Sequence, residues 1–204
     1  MLNVLLSDYT QRILSGSSLL VRIYGVFMLQ CVENFSVDLM IMENITSRNS
    51  RPQFKLDLKG STHDRCSKEQ KPRIGQGKVF LKDVDFLKEV RSFDLEEPAR
   101  TRLMEALEKD VAMLMSRGIM DYSLFGAYYD SQAVQAESKY CFHKRGKADC
   151  FYTLGLIDIL QEYDTSKRCE HWVKRTMKRI APEHLSTVDP QMYAERFLKF
   201  AESL

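Results

Sequence analysis

Apolar positions at Leu2, Leu5, Leu6, Tyr9, Ile13 and Leu14 recur at helical spacing, and Gly16 supplies a stop. Residues 19–30, LLVRIYGVFMLQ, mix aliphatic, β-branched and aromatic side chains as a strand does. FSVDLMIME at 35–43 reads as a second strand, with Glu33 and Asn34 as the polar turn, so the two predict a hairpin. A third strand is expected in QFKLDLKGSTHDR, breaking at Gly60. Residues 65–78, rich in Lys, Gln and Gly with Pro72 among them, are expected as a loop.

The clearest pattern is a helix over 98–117. Pro98 suits its first turn, Leu103, Met104, Leu107, Val111, Leu114 and Met115 form one apolar stripe, and Gly118 ends it. IMDYSLFGAYY and FYTLGLIDILQ predict two further strands. The polar and basic stretch between them is too long for a tight hairpin and is expected as a flexible insertion over 128–150. A last helix begins near Pro190, with Tyr193, Phe197, Phe200, Ala201 and Leu204 on one side.

These elements fit one domain, or one large part of a bigger one, in 204 residues. Hydrophobic content of 44% with 28% charged residues argues against wholesale disorder. A net charge of +2 is too small to imply a nucleic-acid binder by itself. The most apolar stretch, 18–31, contains Arg22 and is too short to span a bilayer, and MLNVLLSDYTQR does not read as a secretion signal. Cys31, Cys66, Cys141, Cys150 and Cys169 lack metal-ligand spacing, and reduced thiols are the simplest account of them.

Candidate chemistry lies in polar residues set among apolar strand positions: Asp57 and Lys59 in KLDLKGST, Asp121 in GIMDYSLFG, and Asp158 in LGLIDILQ. An ionised carboxylate is costly to bury unless it is paired or holds a metal. A salt bridge such as Lys59 to Asp121, or a solvated strand face, accounts for any one of them alone. Taken together they match phosphoryl transfer, which needs a carboxylate for magnesium, a second near the attacking hydroxyl and a cation near the transferred phosphate. Gly60, beside the lysine, lets backbone approach a phosphate closely.

KLDLKGST resembles the DLKGST motif of the phosphatidylinositol phosphate kinases. IMDYSL is similar to their MDYSL motif, LIDILQEYD to their segment with the metal-holding aspartate, and LLVRIYG, LKDVDF and PQMYAERFLKF also resemble that family. The resemblance implies an α+β fold, an antiparallel sheet with packed helices related to the protein-kinase fold, over one partial catalytic domain spanning 1–204. It implies ATP and Mg2+ as cofactors. Asp158 would hold magnesium, Asp121 would position the inositol hydroxyl or accept its proton, and Lys59, with Gly60, would meet the terminal phosphates of ATP. Ser123 would support at best, with Tyr122 and Leu124 packing.

By the same resemblance the activation segment covers about 160–188. Within it Lys167, Arg168, Lys174, Arg175, Lys178 and Arg179 interleave with Trp172, Val173 and Met177. Aromatics among cations favour an anionic membrane surface, where each nearby Lys or Arg contributes about 1 kcal/mol; a solvated charged face is the alternative. Glu170 before His171 resembles the type I enzymes, which phosphorylate phosphatidylinositol 4-phosphate at the 5-position. Lys167 and Arg168 look like the family's basic pair for membrane targeting and substrate phosphate contact. A kinase for another monophosphate stays open.

The resemblance begins just after the glycine-rich turn and strand lysine of the family, so the N-terminal ATP-binding part is expected to be incomplete and residues 1–204 alone to turn over lipid poorly. The expected partners are a phosphoinositide substrate and an anionic membrane, at the cytoplasmic face, with no nucleic acid. A membrane-binding scaffold without transfer chemistry is the competing reading.

Overall fold

Alternation sets the centre of the fold. In FKLDL, Phe54, Leu56 and Leu58 are buried while Lys55 and Asp57 are half-buried, the period of two that a strand imposes on a packed face. The computed structural model describes residues 2–30, 36–46, 51–63, 65–66, 79–130, 139–163 and 188–204. Helix α1 (Leu2–Leu14) leads into β1 (Ile23–Gln30) and β2 (Ser36–Met42). Then follow β3 (Phe54–Leu58), β4 (Phe80–Lys82), α2 (Asp83–Glu89), α3 (Glu97–Ser116), β5 (Ser123–Tyr129), β6 (Cys141–Lys144), β7 (Lys147–Ile157) and α4 (Pro190–Glu202).

β1 and β2 pair antiparallel, from Ile23 opposite Met42 to Gln30 opposite Ser36, as the hairpin reading expected; the turn residues 33 and 34 lie outside the described residues. The main sheet has the order β4-β3-β5-β7-β6. Its pairs are antiparallel except β3 with β4. The sheet is mixed at one edge, and the rest of the α+β expectation of antiparallel strands with packed helices holds.

α3 and α4 bury Leu103, Leu107, Val111, Leu114, Tyr193 and Phe197 in one continuous core with the sheet. The α3 stripe differs from expectation in two places. Met115 is exposed, and Asp110, which the apolar pattern passes over, is fully buried. Arg12 of α1 donates to Asp110 Oδ1 through Nε at 2.9 Å and Nη2 at 2.6 Å, and the Leu19 amide donates to Oδ2 at 2.7 Å. A buried carboxylate is tolerable with that many donors, and this one ties α1 and the approach to β1 onto α3.

The insertion expected over 128–150 is smaller than that. Tyr128 and Tyr129 end β5, and residues from Cys141 onward form the β6–β7 hairpin, turning at Gly146 with φ +65°. Aromatic and β-sheet pairing explain the difference: Phe142 faces Tyr152 in the β6–β7 register, and both are buried. Residues 131–138 of the expected insertion lie outside the described residues.

Candidate functional site

Register places the site. Leu58 at the end of β3 pairs with Leu124 of β5, and Ser123 at the start of β5 pairs with Ile157 at the end of β7. Lys59, Asp121 and Asp158 therefore leave three adjacent strands at one end of the sheet. The two aspartates are not strand residues, as the apolar runs suggested. Both occupy the left-handed region, Asp121 at φ +64° and Asp158 at φ +60°. Non-glycine residues rarely adopt this conformation, though Asp is among those that tolerate it, and such residues concentrate at functional sites.

Lys59 Nζ lies 3.0 Å from Asp121 Oδ1 and donates to the Asp121 carbonyl at 2.7 Å. The simple salt bridge considered from sequence is thus present, but it is part of a larger group. Burial raises the Asp158 carboxyl above its usual range; Lys59 opposes this, while Asp57 and Asp121 add to it. Three carboxylates and one lysine share this end of the sheet.

A second layer, formed by Asp83 and Arg65, was not assigned a role from sequence. Asp83, at the start of α2, is almost fully buried. Its Oδ1 accepts from the amides of Lys59 at 3.0 Å, Gly60 at 2.7 Å and Ser61 at 3.3 Å. Its Oδ2 accepts from Arg65 Nε at 2.6 Å. Arg65 also donates to the Asp57 carbonyl and lies 3.3 Å from its carboxylate. The available signal was LKDVDF, two aspartates at a helix start, although the amides that Asp83 meets belong to the turn after β3 and not to its own helix.

This layer changes the account of Gly60. Its amide goes to Asp83, its φ is +65°, and a Cβ there would stand 3.2 Å from Phe197 Cα and 3.3 Å from Phe200 Cβ. Close packing on α4 and a left-handed turn explain the glycine. Tyr122 packs as expected, fully buried with ring centroids 4.7 Å from Tyr193 and 5.1 Å from Phe197. Leu124 and Ser123 are buried too. Arg196 of α4 lies over the Tyr193 ring, its charge near both Asp83 and Asp121.

Among the described residues, no group of three or more His, Cys, Asp or Glu side chains is placed to hold a metal ion. Magnesium typically takes one or two carboxylates and completes its shell with water and phosphate oxygens. Asp158, partly desolvated yet still accessible to solvent and in the field of Asp57 and Asp121, is a carboxylate of the kind such a shell uses. Cys141 Sγ stands 3.9 Å from His143 Nε2, and Cys66, Cys141 and Cys150 are free thiols. Among the described residues no helix is long and apolar enough to cross a membrane. Glu170, Lys167, Arg168, Lys174 and Arg175 lie outside the described residues.

A family model described as Phosphatidylinositol-4-phosphate 5-Kinase matches residues 1–147 and 128–204. The chain belongs to the phosphatidylinositol phosphate kinase family. Among similar proteins, phosphatidylinositol 5-phosphate 4-kinase type-2 gamma of Danio rerio is 28% identical over 258 residues, covering 98% of this chain and 61% of that protein. The type-2 gamma protein of Xenopus tropicalis is 30% identical, covering 98% and 59%. Phosphatidylinositol 5-phosphate 4-kinase type-2 alpha of Homo sapiens is 26% identical, covering 96% and 60%. The chain spans about three fifths of the length of these curated relatives.

Proposed function

We propose that this chain carries the phosphoryl-transfer end of an ATP- and magnesium-dependent phosphatidylinositol phosphate kinase, built as a relative of the protein-kinase fold. The convergence of Lys59, Asp121 and Asp158 at one end of β3, β5 and β7 supports this reading most strongly. Asp121 takes the proton of the inositol hydroxyl as its oxygen bonds to the terminal phosphorus of ATP and the bond to the ADP oxygen breaks. Lys59 balances charge on the phosphoryl group, and Asp158 would hold the metal. Magnesium, when bound there, would supply the positive charge that offsets the negative charge of the phosphates. Gly60 acts through the shape of the turn that presents Lys59.

The substrate we favour is phosphatidylinositol 4-phosphate, phosphorylated at the 5-position. Glu170 before His171, as in type I enzymes, is the basis for that choice. The names of the relatives favour a second reading, the 4-position of the 5-phosphate isomer. Trp172 with Lys167, Arg168, Lys174 and Arg175 would seat the protein on an anionic membrane at its cytoplasmic face. Offering both isomers to the full-length protein tests the choice. The 4-phosphate isomer should be preferred, and Glu170→Ala should shift preference toward the 5-phosphate isomer. Wild-type preference for the 5-phosphate isomer would support the second reading instead.

A further inference from the structure

Consecutive backbone amides that point to one place form a nest for an anion. The amides of Lys59, Gly60 and Ser61 make such a run, and their anion is internal, the carboxylate of Asp83. That carboxylate is 1% exposed, and its other oxygen is held by Arg65 Nε. Burying a carboxylate is costly without full pairing. Here three of the four bonds named to Asp83 fix the segment that carries Lys59, and the fourth comes from Arg65. Arg65 extends the brace to the Asp57 carbonyl, near the end of the strand that leads into the lysine.

We infer that Asp83, braced by Arg65, is a positioning residue that aims Lys59 into the end of the sheet shared by Asp121 and Asp158. The inference rests on the kinase reading for its consequence in catalysis, but its geometry does not. A lysine is a compact charge on a flexible stem, so a fixed root decides how often the ammonium stands where it is needed. The root of Lys59 is set by its own amide and by the left-handed turn at Gly60, and both are bonded to Asp83. The ammonium then reaches the carbonyl and carboxylate of Asp121.

The alternative role is a plain staple between β3 and α2, and substitution chemistry separates the two. Asn at position 83 keeps one acceptor for the amides but presents an N–H to Arg65, donor against donor. It loosens the brace with almost no change in volume. Arg65→Lys keeps the charge and removes the guanidinium fork that serves Asp83 and the Asp57 carbonyl together.

The experiment follows the full-length protein and both variants by thermal melting. It also measures acylation of Lys59 by a small amine-reactive ester, read by peptide mass spectrometry, and lipid phosphorylation kinetics. In folded Asp83→Asn, Lys59 acylation should rise severalfold against the other lysines, and kcat should fall by about 100-fold with KM changed far less. Arg65→Lys should move both readouts the same way and less far. Unchanged Lys59 reactivity in the folded variants, or loss of fold in both, would overturn the inference and leave a staple. Absent lipid transfer by the wild type, with Lys59 reactivity still rising in the variants, would sink the kinase reading while the positioning of Lys59 stands.

Discussion

Asp121 and Asp158 flank the same strand pair, one just before β5 and the other directly after β7, and both turn through the left-handed region. Two carboxylates whose backbones share this uncommon conformation at one sheet end form a prearranged pair. Lys59 closes the group from β3, bonded to the Asp121 carbonyl and carboxylate.

Asp121→Asn should separate chemistry from folding. Asn tolerates positive φ about as well as Asp, and the carbonyl that accepts from Lys59 is untouched. Transfer should fall by about 100- to 10,000-fold while the melting temperature moves little. Initial-rate assays beside thermal melts provide the check, and a large loss of stability would count against a role in proton transfer.

Asp158 should show its cost in the pH dependence of stability. Its carboxyl is raised by burial and by Asp57 and Asp121, so the folded protein holds the proton more tightly than the unfolded chain. That contribution is fully present below the unfolded carboxyl range and is lost as pH rises through the raised folded value. Asp158→Asn should therefore melt higher than wild type at neutral pH, with the difference shrinking as the medium is acidified below the ordinary carboxylate range. Melting curves across that interval read it directly.

Gly60→Ala should destabilise the fold by about 1–3 kcal/mol, because an alanine meets both a left-handed backbone and the main chain of α4 at Phe197. Denaturant titration measures this. A neutral result would mean that α4 yields easily at the contact.

Much of the scaffold was legible because its signals are local. α1, α3 and α4 announced themselves by helical periodicity, and β3, β5 and β7 by short apolar runs. β4 spans three residues and α2 seven, too short for periodicity to register. The candidate residues Lys59, Asp121 and Asp158 stood out as charges in apolar surroundings. Their position at strand ends did not, because a left-handed aspartate leaves no mark on the hydrophobic pattern. Asp83, Arg65 and Asp110 were passed over for another reason. Their partners lie in other elements, 18 residues apart for Arg65 and Asp83 and 91 for Asp110 and Leu19, and only the fold brings them together.

Asp110→Ala should cost about 3 kcal/mol or more, since it strands the Arg12 guanidinium and the Leu19 amide against a buried helix face. Chemical denaturation is the measurement. A loss below about 1 kcal/mol would place the bond outside the cooperative core.

Reversing charge with Lys174→Glu and Arg175→Glu should weaken binding to vesicles carrying anionic lipid by at least about tenfold, and added salt should shrink the wild-type advantage. Sedimentation with vesicles tests it. Binding that survives reversal would assign the basic stretch to a solvated face.

Phosphate transfer itself is the most direct measurement. Full-length protein is incubated with terminally labelled ATP, magnesium and vesicles containing a phosphatidylinositol monophosphate, and label in the bisphosphate lipid is counted for wild type and Asp158→Asn. Label in the bisphosphate that disappears with Asp158→Asn, while vesicle binding persists, is the expected result. Equal label from both proteins, or none from a wild-type protein that binds the vesicles, would contradict the role given to this end of the sheet.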